Sequence, residues 1–223
     1  MREDVRMKIA ILLFDKFTAL DAIGPYEVLS RIPGAELAFV AKQPGAKRSD
    51  TGMLQVNADR PLADFPDPDI VLVGGGEGNR PLLSDGEVLD WLRAAHETST
   101  WTTAVCTGSL VLGAAGILDG KRATTHWAYR ERLRDFGAEP ATERFVVDGK
   151  VVTAAGVSAG IDMALHLVAR LHSVERAREV RRYIQYDPEP PFDSGSPEKA
   201  APELVDLVRT LERGQAAESQ RAT

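Results

Sequence analysis

Cys106 is the only cysteine among 223 residues, and it stands where chemistry is possible. Trp101-Thr-Thr-Ala-Val105 before it is a short apolar and β-branched run that reads as a buried strand, and residues 109–115 after it read as a small-residue helix packed close to that strand. A side chain at such a turn points out of the end of a sheet, toward the unpaired N–H groups and positive dipole end of the following helix. A thiol held there is biased toward thiolate, the form that attacks electrophiles. A lone free cysteine is also commonly a small buried hydrophobe, so residue type alone leaves both roles open. Asp21 occupies an equivalent place nearer the start of the chain, between the apolar run of residues 8–14 and a helix that carries Tyr26, Val28, Leu29 and Ile32 inward. It is either a proton-transfer group or an ordinary helix cap.

The elements that must hold these two residues follow from periodicity. Residues 8–14, 38–41, 54–57, 69–73, 101–105 and 122–125 read as strands, the first of them buried on both faces of a parallel sheet. A capping box, Ser84-Asp-Gly-Glu87, opens a helix with Val88, Leu92 and Ala95 as its apolar stripe. Further helices are expected over 109–115, over 127–136 closed by Gly137, over 159–171 with Ser158 as N-cap, over 173–184 and over 203–213. Pro25 is tolerated in the first turn of a helix, which puts that helix's start near residues 21–24. Phe145-Val-Val-Asp-Gly-Lys-Val-Val-Thr153 reads as a hairpin turning at Asp148-Gly149. Residues 43–52 read as a polar loop, and the proline-rich residues 187–202 as irregular.

Strands alternating with helices in this way predict an α/β fold, a doubly wound, mostly parallel sheet flanked by helices with a β-hairpin addition. Ligands of such sheets bind beyond the carboxyl ends of the strands. Asp21, the run Gly74-Gly75-Gly76 and Cys106 all follow such ends. The glycine run allows a backbone to come close to whatever lies there, or simply makes a tight turn. It does not match G-x-G-x-x-G in register, which argues against a dinucleotide site.

A net charge of −6 with 43% hydrophobic residues suits a single domain over residues 1–223, fraying at 1–6 and 215–223. The same charge argues against a general nucleic-acid or anionic-membrane surface. Arg176, Arg178, Arg181 and Arg182 share one predicted helix, but Glu175 and Glu179 are spaced to pair with Arg178 and Arg182, so a solvated or subunit face is expected there. One cysteine precludes an intrachain disulfide and fits a reducing cytoplasm, and residues 9–14 are too few to span a membrane. His96, His126, His166 and His172 lack the spacing of H-E-x-x-H, so no metal is expected, and the charge balance fits a small-molecule partner best.

Cys106-Thr107-Gly108-Ser109 followed by Thr125-His126-Trp127 resembles the DJ-1/PfpI (ThiJ) superfamily. Leu20-Asp21, Gly24-Pro25, Gly74-Gly75-Gly76, Ser158-Ala159-Gly160-Ile161-Asp162, Pro190-Pro191-Phe192 and Gly195-Ser196-Pro197 narrow the resemblance to its bacterial isocyanide (isonitrile) hydratases, over residues 7–200. The resemblance implies a flavodoxin-like, class I glutamine amidotransferase-like fold, a homodimer, and hydration of R–N≡C to the N-substituted formamide through a covalent cysteine thioimidate. It implies Cys106 as nucleophile and Asp21, where many superfamily members carry glutamate, as the proton-transfer residue. It also implies that the backbone N–H groups of Thr107 and Gly76, beside Gly75, face the bound electrophile. A thiolate and a carboxylate placed together share one proton, because like charges in a poorly solvated site repel. Superfamily proteases and amidotransferases use a histidine after their cysteine, whereas the hydratase-like pattern makes His126 and Trp127 pocket features. The resemblance leaves open a glyoxalase or deglycase acting on α-oxoaldehydes, a sensor related to the ligand-binding half of AraC-like regulators, and redox sensing by oxidation of Cys106.

Overall fold

The computed structural model describes residues 7–221. Among them the strands are β1 (Met7–Leu12), β2 (Ala35–Ala41), β3 (Gly45–Arg48), β4 (Gln55–Ala58), β5 (Arg60–Pro61), β6 (Ile70–Val73), β7 (Trp101–Val105), β8 (Arg122–Ala123), β9 (Glu139–Pro140), β10 (Phe145–Asp148) and β11 (Val151–Ala154). The α-helices are α1 (Ala19–Leu29), α2 (Gly86–Thr98), α3 (Gly108–Ala114), α4 (Ala159–Leu171), α5 (Val174–Tyr183) and α6 (Pro202–Arg221). Continuous apolar runs such as Ile70-Val-Leu-Val73 can be strands only if both faces are covered, and all four of those residues are buried.

Seven strands form one sheet in the order β10-β11-β7-β6-β1-β2-β5. Only the β10–β11 pairing is antiparallel, through the hairpin at Asp148-Gly149 that the sequence predicts. Helices α1, α4 and α5 pack against one another, and α2 packs on α3. From β1 the chain moves outward to β2 and β5, then returns to the other side of β1 as β6 and continues to β7. The strand order therefore reverses between β1 and β6, where an open α/β sheet leaves a crevice at its carboxyl edge. Leu12 pairs with Val73, and Val73 with Ala104, so β1, β6 and β7 end level with one another. Helices α1 and α4 approach through missing side chains: a Cβ on Gly160 would lie 3.0 Å from Pro25 and 2.9 Å from Val105, and one on Gly24 would lie 3.0 Å from Ile161. The Gly24-Pro25 and Gly160-Ile161 motifs are thus packing devices that seat the middle of α1 closely on α4.

Several local expectations are corrected. Helix α1 begins at Ala19, so Pro25 lies past the first turn; it has no N–H for the Asp21 carbonyl four residues back, and its contact with α4 holds the helix through that gap. The cap of α2 is Asp85, whose carboxylate accepts the Val88 N–H at 3.4 Å, and not Ser84, which closes a 3₁₀ turn from Pro81. An anion is also the better partner for a helix N-terminus. Ser158 has helical backbone angles and makes no cap; its hydroxyl accepts from Arg144 at 3.3 Å instead. Residues Trp127–Phe136 form 3₁₀ turns closed by left-handed Gly137. Residues 45–48, placed in a polar loop by the sequence, pair with β4 as a separate hairpin. On α5, Glu179 binds Arg176 at 2.9 Å, not Arg182.

The chain divides into two compact units, Met1–Gln185 and Tyr186–Thr223. The second unit is a proline-rich segment followed by α6; proline supplies no N–H with which to extend a ladder or a helix. Helix α6 runs Pro202–Arg221, and residues 1–6 and 222–223 lie outside the described residues.

Candidate active site

Cys106 is the first residue after β7 and the second before α3, and a chain that must turn from strand to helix over so short a distance needs an unusual backbone. Its φ is +56°, in the left-handed region where a residue other than glycine is strained. The surrounding structure over-determines the turn. The Cys106 N–H is shared between the carbonyls of Ala155 (2.9 Å) and Ala154 (3.1 Å), while its own carbonyl accepts from Thr125 Oγ1 at 2.8 Å and Ser109 Oγ at 3.0 Å. The backbone N–H groups of Thr107 and Val157 reach the sulfur and favour its anion. The side chain is 6% exposed.

Asp21 lies in the first turn of α1 and is fully buried. Its Oδ2 accepts the Gly75 N–H at 2.7 Å, and Oδ1 has no partner of ordinary hydrogen-bond geometry. Burial pushes the Asp21 carboxyl up to about 7, against the opposing pull of the Gly75 N–H and the Cys106 thiol within its reach. Burial, then the neighbouring Asp21 charge, pushes the Cys106 thiol upward too. The sequence expects a thiolate favoured by the helix terminus. In the folded protein desolvation outweighs that field: burial raises both the carboxyl and the thiol above their ordinary values.

The glycine run brings these parts together. A Cβ on Gly74 would lie 3.1 Å from Asp21 Cβ, and one on Gly75 would lie 2.6 Å from both Thr107 N and Thr107 Oγ1. Gly76 has φ +129° and is wedged against the Lys16 carbonyl. What approaches the loop is the protein's own Thr107 backbone and the Asp21 side chain, which explains glycines without a phosphate motif. The loop's N–H groups are engaged: Gly75 gives its proton to Asp21, and Gly76 donates to Thr107 Oγ1 at 3.1 Å. In this structure Gly76 thus orients Thr107 and is not a free donor for an electrophile.

A family model described as "DJ-1/PfpI family" matches residues 7–170, which includes Asp21, the glycine run, Cys106 and His126. The chain belongs to the DJ-1/PfpI family. Over 203 residues it is 45% identical to "Isonitrile hydratase" of Pseudomonas putida, covering 91% of this chain and 89% of that protein. A ThiJ/PfpI family protein from Pseudomonas syringae has a solved structure that superposes with a TM-score of 0.87 at 35% identity, covering 98% of this chain and 90% of that one. The chain is also 30% identical, over 80% of its length, to the "HTH-type transcriptional regulator GbdR" of Pseudomonas aeruginosa, of which it spans only 50%.

Within this DJ-1/PfpI site, Asp21, Gly75, Gly76, Cys106 and Thr107 gather at one sheet edge. His126 packs beside them: a Cβ on Gly156, next to Val157, would lie 3.1 Å from the His126 ring, which stacks obliquely with Trp127 at 5.6 Å and Tyr129 at 6.1 Å. Sequence reasoning missed four contributors, namely Ser109 and Thr125 on the Cys106 carbonyl, Val157 on the sulfur, and Asn79. Among the described residues no three His, Cys, Asp or Glu side chains converge to hold a metal ion, and no helix is long and apolar enough to cross a membrane.

The tightness of the glycine contact gives a direct expectation. Gly75→Ala drives a methyl into the Thr107 backbone, which belongs to the rigid elbow and has little freedom to retreat. Denaturant unfolding will show a loss of about 1–3 kcal/mol, and thiol alkylation of the folded fraction will show altered Cys106 reactivity.

Proposed function

We propose that this protein is an isocyanide (isonitrile) hydratase that works through a covalent thioimidate on Cys106. The observation that carries this reading is the coupled pair of Cys106, in its strained turn, and the buried Asp21 carboxyl whose Oδ1 has no partner. The 45% identity to an isonitrile hydratase supports it.

An isocyanide R–N≡C has an electrophilic, carbene-like terminal carbon that must gain both a nucleophile and a proton. The proton held by the pair shifts to Asp21 and the sulfur attacks as thiolate. A C–S bond forms and Asp21 gives its proton to the same carbon, producing R–N=CH–S–Cys106. Asp21, now a carboxylate, takes a proton from water as the water oxygen bonds to that carbon and passes that same proton to the nitrogen. Collapse of R–NH–CH(OH)–S–Cys106 breaks the C–S bond, forms the formamide carbonyl and returns one proton to the pair. The Thr107 and Val157 N–H groups stabilise the sulfur when it leaves as an anion. The net change is R–NC plus water to R–NH–CHO.

The test is incubation of the purified protein with a simple alkyl or aryl isocyanide while formamide is followed by chromatography; no product overturns the reading. The pH profile is a further expectation. Below about 7 the pair carries two protons, one on each group, and no nucleophile is available; above it the pair carries one. Values of kcat/KM therefore rise through pH 7 and hold into the alkaline range, because the Cys106 thiol titrates higher than an ordinary thiol.

A further inference from the structure

We propose that Asn79 is a positioning residue for the nucleophile, clamping Thr107 from the glycine-loop side so that the Thr107 N–H stays aimed at the Cys106 sulfur. This inference rests on the proposed use of Cys106 as the attacking group.

Asn79 closes the 3₁₀ turn that follows the glycine run and is buried. Its Nδ2 donates to the Thr107 carbonyl at 2.9 Å, and its backbone N–H donates to the Gly76 carbonyl at 3.2 Å. Gly76 in turn donates its own N–H to Thr107 Oγ1. These three bonds form a closed circuit, Asn79 to Thr107, Gly76 to Thr107 and Asn79 to Gly76, that grips Thr107 by its carbonyl and its hydroxyl at once. The Thr107 carbonyl also accepts the Leu110 N–H at 3.1 Å, so Asn79 is not needed to satisfy it. What the amide adds is orientation. With both the hydroxyl and the carbonyl of Thr107 fixed, the residue cannot swing its N–H away from the sulfur, and the left-handed turn at Cys106 is braced on its far side. A positively placed N–H stabilises the thiolate in attack and again as leaving group.

The test compares Asn79→Ala with Asn79→Leu. Leucine keeps the branched shape and size of asparagine but offers no donor to the Thr107 carbonyl and adds no charge beside the thiol. If Asn79 merely filled space, the leucine variant would be harmless and only the alanine variant impaired. If its donor matters, both are impaired alike. The expected result is a loss of about 10²-fold in kcat with KM nearly unchanged. Alkylation by iodoacetamide at fixed pH, which reads Cys106 alone because it is the chain's single cysteine, slows about tenfold as the thiolate loses its donor. An unchanged kcat or alkylation rate in a folded Asn79→Ala variant overturns the proposal, as does a leucine variant with wild-type values. Should the leucine variant not fold, alkylation of the alanine variant still decides. The alkylation arm needs no isocyanide, so wild-type protein that makes no formamide sinks the proposed reaction without bearing on Asn79.

Discussion

Cys106→Ala is expected to abolish formamide formation, by about 10⁴-fold or more in kcat, while leaving a folded protein. Alanine keeps the N–H donated to the Ala154 and Ala155 carbonyls and the carbonyl that accepts from Thr125 and Ser109, which are all main-chain groups of residue 106. It removes only a small side chain from an already strained position. Cys106→Ser sharpens the result: it keeps the shape and replaces the nucleophile by a hydroxyl far less acidic than a thiol, so it too should be inactive. Intact-protein mass spectrometry supplies the second measurement. Wild-type protein quenched during turnover should carry the mass of one isocyanide, and neither variant should. Undiminished formamide formation by the alanine variant would place the chemistry elsewhere.

Asp21→Asn should separate activity from stability in opposite directions. Turnover falls by about 10²- to 10⁴-fold, since an amide can neither deliver the proton that forms the adduct nor accept one from water in its hydrolysis. Stability goes the other way. The carboxyl has its proton affinity raised by burial, from 3.8 to about 7. Between those values the folded protein keeps a proton that the unfolded chain releases, so unfolding free energy declines as pH rises through that window and stays low above it. The full deficit near pH 8 is up to about 4 kcal/mol. An amide carries no such deficit and can still accept the Gly75 N–H. The variant should therefore be more stable than wild type at pH 8, and the gap should close toward pH 4. Urea titrations at the two pH values measure both, and a gap that does not change with pH would show that Asp21 does not carry its proton into the folded state.

What the sequence made legible and what it did not divide along physical lines. Buried strands such as β6 and the Asp148-Gly149 hairpin rest on local pattern, and they stand where the pattern puts them. Cys106 and Asp21 were locatable because strand-to-helix junctions at one sheet edge are a property of topology. Side-chain partners were not. Ser84 and Asp85 are adjacent potential caps, and only the 3₁₀ turn starting at Pro81 decides between them. The strand at residues 45–48 has no apolar alternation and exists through its pairing with β4. The engagement of the glycine-loop N–H groups depends on Asp21 and Thr107, which lie far away in sequence. Asn79 and Thr125 act on main-chain carbonyls, a role any polar residue could announce and none does by type alone.

The left-handed torsion at Cys106 also restricts what can ever occupy that position. Branching at Cβ is severely disfavoured at positive φ, so threonine, though it bears a hydroxyl, is barred where serine is not. Glycine would relax the turn, yet leave nothing to react. Gain in backbone ease and possession of a nucleophile are thus mutually exclusive at this one residue, and any lineage or design that keeps the reaction must keep the strain with it.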